Sequence, residues 1–172
     1  MPARLHSGIP MTEDEIQALP YRPNVGLMVV NPFGHVFTGQ RIDYPGTAWQ
    51  MPQGGIDAGE DPRDAAFREL REETGIDPHM VKLLAESTDW LSYDFPADLI
   101  SKLWKGGYRG QKQRWFLLQF TGDDALINID TEEPEFSVWR WMAPQELLDN
   151  IVPFKRPIYE QVLSEFREFL AD

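Results

Sequence analysis

One continuous stretch, residues 54–76, constrains this chain more than any other. It reads GGIDAGEDPRDAAFRELREETGI. Two adjacent glycines allow a tight loop, Asp61 can cap a helix, Pro62 suits a first helical position, and Gly75 suits a helix end. The stretch therefore predicts a glycine loop that leads directly into a helix over residues 62–74.

The predicted helix carries an acidic cluster. Glu69, Glu72 and Glu73 stand at i, i+3 and i+4, so one helical turn brings their carboxylates onto one face. A solvated acidic surface is one interpretation of such a cluster. A metal site is the other, because negative charge near a helix C-terminus is unfavourable and magnesium prefers carboxylate oxygens. The surrounding loop and caps, which make a rigid platform, favour the metal site.

Composition limits the class of protein. The 172 residues carry a net charge of −12 with 42% hydrophobic content, which indicates one folded domain and argues against a broad basic surface for nucleic acid. There is no cysteine, so disulfides and thiolate zinc sites are excluded. No apolar run is long enough to span a membrane. These features predict a soluble, cytoplasmic protein with no membrane partner and no obligate protein partner.

Local patterns predict the remaining elements, and the run 113–121 (QRWFLLQFT) indicates a strong strand. Thr12 and Glu15 have the spacing of a capping box and predict a short helix after a loose tail over residues 1–11. Strands are predicted over residues 24–31, 36–40, 48–51, 81–94, 113–121 and 136–142. Helices are predicted over residues 13–18, 96–103, 144–150 and 156–170.

The pattern of the first stretch is G-x5-E-x7-R-E-U-x-E-E-x-G-U, where U is a bulky aliphatic residue, and every fixed position is filled here. The chain thereby resembles the Nudix hydrolases. That resemblance implies an α/β fold with a mixed sheet sandwiched between helices, formed by residues 20–172 after an N-terminal extension over residues 1–19. It also implies hydrolysis of phosphoanhydride bonds in nucleoside diphosphate derivatives, with Mg²⁺ or Mn²⁺ as cofactor.

The resemblance also implies roles for particular residues. Arg68 would orient neighbouring carboxylates together with Glu60, and these two act with the general base, for which Glu72 and Glu135 are both candidates. The distal acid comes from the segment 132–136, where Glu135 is the first choice and Glu133 the alternative. The implied metal ligands are four carboxylates: Glu69, Glu72, Glu73 and Glu135.

Segments outside the box resemble bacterial RNA pyrophosphohydrolases and the similar plant-type dinucleoside tetraphosphate hydrolases. They are YRPNVG at 21–26, WQMPQGG at 49–55, GQKQRWF at 110–116, WRW at 139–141 and FKR at 154–156. Met51 and Arg114 depart from the phenylalanine and lysine common there. By this resemblance, phosphate contacts come from Arg22, Gln111, Arg114 and Lys155, and Phe154 stacks on a base.

Three functions follow from these resemblances. The first is removal of pyrophosphate from the 5′ triphosphate end of RNA. The second is asymmetric hydrolysis of diadenosine tetraphosphate to ATP and AMP, and one site could perform both reactions. The third, from another class, is a non-catalytic nucleotide-binding Nudix domain. Loss of box carboxylates would signal that third class, and none is lost here.

Overall fold

The protein is described by a computed structural model that covers residues 11–43 and 46–172. The predicted tail over residues 1–11 lies outside this part of the chain except for its last residue. Within the described residues, seven strands form one mixed sheet in the order β4-β6-β1-β2-β7, with β3 paired to β1 and β5 paired to β6. The strands are β1 (Tyr21–Val30), β2 (Val36–Arg41), β3 (Gln53–Gly55), β4 (Val81–Glu86), β5 (Leu91–Asp94), β6 (Gly110–Phe120) and β7 (Phe136–Met142).

Five α-helices accompany the sheet in the described residues. They are α1 (Glu13–Gln17), α2 (Pro62–Thr74), α3 (Ala97–Ile100), α4 (Pro144–Asn150) and α5 (Arg156–Glu165). Short 3₁₀ helices cover Pro78–Met80, Trp104–Gly106, Asp124–Leu126, Pro153–Lys155 and Arg167–Phe169. None of the helices in this part of the chain has the length and apolarity that a membrane span requires.

Alternation along β1 divides the apolar residues between the two faces of the sheet. Val25, Leu27 and Val29 pack with α2, whereas Met28 and Val30 pack with α5. The parallel neighbour β6 follows the same alternation, and every residue of β1 has a partner on it. The predicted α/β/α arrangement, a mixed sheet between helices, is confirmed.

The helix α2 begins and ends where its sequence predicts. The Asp61 side chain accepts a hydrogen bond of 2.8 Å from the Arg63 amide, which caps the N-terminus. At the other end Gly75 adopts the left-handed conformation, with φ of 71°, and its amide donates to the Arg71 carbonyl. Apolar residues on one side, Ala65, Ala66 and Leu70 among them, fix the helix on the sheet. The carboxylates therefore project from a rigid element.

Several predicted elements have different bounds in the structure. The strand predicted over residues 48–51 is wrong, since that segment makes only an isolated bridge from Gln50 to Gly39, and Gln53–Gly55 is the strand. The run 81–94 is two strands that pair with different parts of β6. The last helix ends at Glu165 rather than at residue 170, and the 3₁₀ turn Arg167–Phe169 follows it.

Candidate active site

Arg68 is the centre of a charged network at the start of the site. Its guanidinium donates to both carboxylate oxygens of Glu60, at 2.8 and 2.9 Å, and to Oε1 of Glu69 at 2.9 Å. A longer bond of 3.3 Å reaches Glu72, and another of 2.9 Å reaches the Gly55 carbonyl. The hydrogen bond from Arg68 holds the pKa of Glu60 below its usual range. Arg68 thus ties the glycine loop to the acidic face of α2.

Glu69 and Glu73 occupy the inner side of that face. Glu73 is buried, and its Oε2 accepts a hydrogen bond of 3.3 Å from the Gln53 amide. Burial raises the pKa of Glu69 to about 7, against the opposing effect of Arg68. Burial also raises the pKa of Glu73 well above its usual range, and the negative charges of Glu69 and Glu135 add to that rise. A cation would relieve both effects.

Glu72 has a different environment. Its side chain is 57% exposed, compared with 12% for Glu69. Among residues 11–43 and 46–172, no three carboxylates or imidazoles are grouped closely enough to form a finished metal site. Glu69 and Glu72 both bond to Arg68, which fixes them in their present orientation. The structure thus brings the predicted ligands to one region without closing them around a point.

Glu135 lines the same cavity as Glu69 and Glu73, which has a volume of about 700 Å³. The Arg41 guanidinium approaches Oε2 of Glu135 to 3.5 Å and forms a two-pronged pair with Asp43, at 2.7 and 2.8 Å. Sequence reasoning missed Arg41 and Asp43, because a hairpin end carries no local signal of a long-range contact. We call Glu69, Glu73 and Glu135 the acidic side of the cavity.

The other side of the cavity carries cations and aromatic rings. Arg22 comes from β1, and Phe154 and Lys155 come from the 3₁₀ turn before α5. These residues are far apart in sequence, and the fold brings them together beside the sheet. The ring of Tyr93, from β5, lies 6.0 Å from the ring of Phe154. Gln111 also lines this part of the cavity. We call Arg22 and Lys155, with the side chains that hold them, the basic side.

Buried amides form the floor of the basic side. The Gln113 amide nitrogen donates to Asn24 at 2.8 Å and to Gln53 Oε1 at 3.2 Å, and its oxygen accepts from the Trp115 indole at 3.0 Å. The Lys155 ammonium reaches the same Gln53 oxygen at 3.5 Å. Burial lowers the pKa of Lys155 to about 8. Neutral amides therefore hold this ammonium without cancelling its charge.

Tyr93 belongs to the same floor and was not predicted as a site residue. Its hydroxyl accepts a hydrogen bond of 3.0 Å from the Gln111 side chain. Burial raises the pKa of Tyr93 to about 12, so the phenol stays protonated near neutral pH. The alternation of β5 against β6, where Tyr93 faces Gln111, is the signal that would have found it.

The prediction that Arg114 contacts phosphate in this site is not supported by its position. Arg114 lines a second cavity of about 370 Å³ on the α2 face of the sheet, with Arg63 and Glu86. Its Nη2 lies 3.5 Å from Oε1 of Glu86. Side chains alternate along β6, so Gln111 and Gln113 face the main cavity while Arg114 faces the opposite way. The structure brings the other predicted substrate residues together without it.

Comparisons with known proteins agree with this geometry. A family model described as the NUDIX domain matches residues 20–162. The chain belongs to the Nudix family. Two relatives are named RNA pyrophosphohydrolase: one from Roseobacter denitrificans is 59% identical and covers 93% of this chain and 100% of its own. The other, from Rickettsia rickettsii, is 55% identical and covers 88% of this chain and 93% of its own.

Solved structures support the Nudix fold. The C. elegans Ap4A hydrolase aligns with a TM-score of 0.63 at 19% identity, covering 86% of this chain and 98% of its own. The E. coli dihydroneopterin triphosphate pyrophosphohydrolase aligns with a TM-score of 0.67 at 20% identity, covering 85% and 99%. At this identity the likeness concerns the fold alone. The fold predicted from the box and its flanks is confirmed.

Proposed function

We propose that this Nudix protein hydrolyses the 5′ triphosphate end of RNA, releasing pyrophosphate and leaving a 5′ monophosphate. One observation carries the proposal: a single cavity joins an acidic side to a basic side beside an aromatic ring. Such a site suits cleavage of a phosphoanhydride bond, because its cations would bind the phosphates while its carboxylates would hold a metal ion. The names of the 55–59% identical relatives support the same substrate class.

Nudix hydrolases use divalent ions, and we propose Mg²⁺ or Mn²⁺ for this chain. The donors suit such an ion, since half-buried Glu69 and buried Glu73 have raised pKa values and Glu135 adds a third carboxylate nearby. Glu72 would join them as the fourth ligand. A bound divalent ion neutralises phosphate charge and lowers the pKa of its water.

The chain's own residues then have separate tasks. Arg68, fixed by Glu60, orients the carboxylates of Glu69 and Glu72. Arg22, Arg41 and Lys155 bind phosphate oxygens, with Gln111 contributing its amide. Phe154 offers its ring for base stacking, which contributes about 1–3 kcal/mol per base in such sites. The general base is Glu72 or Glu135, and we propose both as candidates.

A second candidate function is asymmetric hydrolysis of diadenosine tetraphosphate. Aromatic rings line the cavity in one connected row, from Phe154 through Tyr93 and Phe95 to Trp104. Such a row of rings suits a substrate with a base at each end. The chemistry at the metal carboxylates would be the same as for RNA.

We propose that residues 20–172 form the Nudix domain and that residues 1–19 are an N-terminal extension. We also propose that the protein is cytoplasmic. The start of the NUDIX match at residue 20 supports that boundary. The capping box at α1 is present as predicted, and Ile16 packs against the core next to α5.

The experiment offers triphosphorylated RNA and diadenosine tetraphosphate separately, with Mg²⁺ and with Mn²⁺. Pyrophosphate and 5′-monophosphorylated RNA are the expected products of the first reaction. Absence of both products, with turnover of the dinucleotide, would replace the first function by the second. Glu72→Gln tests the metal site, because unchanged turnover in this variant would remove the argument for that site. Nucleotide binding without any turnover by the wild type would mark a non-catalytic nucleotide-binding domain.

A further inference from the structure

Trp104 stands at the mouth of the main cavity in an unusual backbone conformation. It opens the 3₁₀ turn Trp104–Gly106, and its φ is 45°, while that of Lys105 is 59°. Residues with a Cβ rarely adopt positive φ, and such a conformation persists where surrounding contacts maintain it. Trp104 lines the cavity with an indole that is 44% exposed. The strained turn places a large aromatic ring beside the substrate-binding residues.

The indole is part of a stack that ends on Arg22. The Phe95 ring, which is buried, lies 5.8 Å from the Trp104 ring at an angle of 23°, and Tyr108 meets it edge-on at 6.2 Å. The Arg22 guanidinium carbon lies 4.5 Å from the indole centroid. This distance is well inside the range of a cation–π interaction. Phe95, Trp104 and Arg22 are called the indole stack below.

Arg22 is held almost entirely by uncharged groups. Its Nη1 lies 3.5 Å from Oε1 of Gln111, a long hydrogen bond. Gly55 confines it further, since a Cβ there would come within 2.2 Å of Nη2. Within the described part of the chain, Arg22 forms no salt bridge, unlike Arg41 and Arg68. An aromatic face orients a guanidinium without neutralising it, so the full charge stays available to phosphate.

We propose that Trp104 is a positioning residue for substrate binding. It acts through Arg22, which it holds at the cavity with its guanidinium charge available to the phosphates of the substrate. The inference rests on the proposed function only in taking phosphates as the ligand of Arg22. Trp104 itself touches no reacting atom. Its loss therefore weakens binding and leaves the chemical step intact.

The test compares kcat and KM of Trp104→Ala, Trp104→Phe, Arg22→Gln and the double variant on triphosphorylated RNA. Loss of a partly desolvated cation–π contact predicts a rise in KM of about 5- to 20-fold for Trp104→Ala, with kcat within about twofold. Trp104→Phe retains an aromatic face and restores most of the affinity. In the Arg22→Gln background, Trp104→Ala changes KM by less than about twofold, because the guanidinium through which Trp104 acts is already absent.

Trp90 supplies the matched control. It is 40% exposed and has Lys112 at 5.1 Å and Arg114 at 5.8 Å from its ring, but it does not line the main cavity. Trp90→Ala should leave KM within about twofold of the wild type. Circular dichroism and thermal unfolding confirm that each variant is folded. An unchanged KM for folded Trp104→Ala, or equal effects of that change with and without Arg22, would overturn the inference.

A binding measurement separates this inference from the proposed function. Calorimetry with adenosine 5′-(α,β-methylene)triphosphate and Mg²⁺ follows phosphate binding without turnover, because the bond that the proposed reaction cleaves is replaced in this analogue. If the wild type hydrolyses neither RNA nor dinucleotide but Trp104→Ala still weakens this binding, only the proposed function fails. If the wild type binds the analogue and Trp104→Ala binds it equally well, the positioning role is wrong. A wild type that does not bind the analogue would also contradict it.

Discussion

The acidic and basic sides of the cavity are built in opposite ways. The acidic side draws Glu69 and Glu73 from one helix, where Arg68 fixes Glu69 by a charged hydrogen bond of 2.9 Å and the Gln53 amide donates to Glu73 at 3.3 Å. The basic side assembles Arg22 and Lys155 from elements far apart in the chain and fixes them with amides and aromatic rings. The acidic side thus concentrates charge that requires a cation. The basic side preserves cations that require an anion.

Glu73→Gln should have the largest effect on activity, because it removes one carboxylate from the acidic side. Removing one buried carboxylate of the proposed metal site forfeits several kcal/mol of charge stabilisation, which corresponds to roughly a thousandfold loss of kcat. Single-turnover rates at saturating Mg²⁺ measure that loss. An activity within tenfold of the wild type would remove Glu73 from the set of metal ligands.

The same variant should gain stability in chelator. Burial raises the pKa of Glu73 in the folded state, so the folded protein binds more protons than the unfolded chain and loses stability as pH rises above about 4.3, the ordinary glutamate value. Glu73→Gln has no titratable carboxyl at this position, so it does not lose stability in this way as pH rises. Its Tm in EDTA should exceed the wild-type Tm at pH 8, with the difference shrinking toward pH 5. A pH-independent difference would contradict this explanation.

Arg68→Lys should rank next. Lysine keeps the charge but cannot reach both oxygens of Glu60 while also bonding Glu69. Loss of such an orienting partner costs about 10- to 100-fold in metal affinity or activity. A Mg²⁺ titration of the rate measures both. Arg63→Lys is the control on the same helix, where the arginine is 56% exposed and, among the residues that the structure describes, forms a salt bridge only with Glu86. It should leave the titration unchanged.

The acidic side and the basic side of the cavity differed in how much of each could be predicted from the sequence. The bounds of α2 follow from caps and spacing within the helix itself. The network of Arg68 was implied by the resemblance to the Nudix hydrolases, and the structure places Glu60 and Glu69 beside it. The strand at Gln53–Gly55 depends on its pairing with Asn24 and Val25, which no local pattern encodes. The salt bridge from Arg41 to Glu135 joins residues far apart in the chain, so no local pattern encodes it either.

Arg114 is a different case, because it lines the second cavity and not the main one. The information was present, since the odd-numbered Gln111, Gln113 and Trp115 share one face of β6 and an even-numbered residue must face away. The prediction followed the resemblance of the GQKQRWF segment and overlooked that alternation. Trp104 had no comparable signal, because its position depends on positive backbone angles that a non-glycine residue rarely adopts.

Gln113→Leu tests the amides beneath the basic side. Leucine leaves the Trp115 indole without its acceptor and Gln53 without one of its donors, and a buried unpaired polar group costs about 1–3 kcal/mol. The Tm should fall, and KM for triphosphorylated RNA should rise severalfold because Gln53 no longer holds Lys155 in place. Gln119→Leu is the control on the same strand, with longer bonds of 3.3 and 3.4 Å to carbonyls. A rise in KM equal to that of Gln113→Leu would assign the effect to general loosening of β6.

Arg114→Gln should have the smallest effect and sharpens the comparison most. Arg114 and Arg22 are both arginines of adjacent parallel strands, but only Arg22 lines the main cavity. Arg114→Gln leaves Glu86 its second partner, Arg63, so stability should change by no more than about 0.5 kcal/mol. KM for triphosphorylated RNA should stay within about twofold, whereas Arg22→Gln should raise it at least tenfold through loss of a charged phosphate contact. Equal increases for the two variants would mean that phosphate reaches both faces of the sheet.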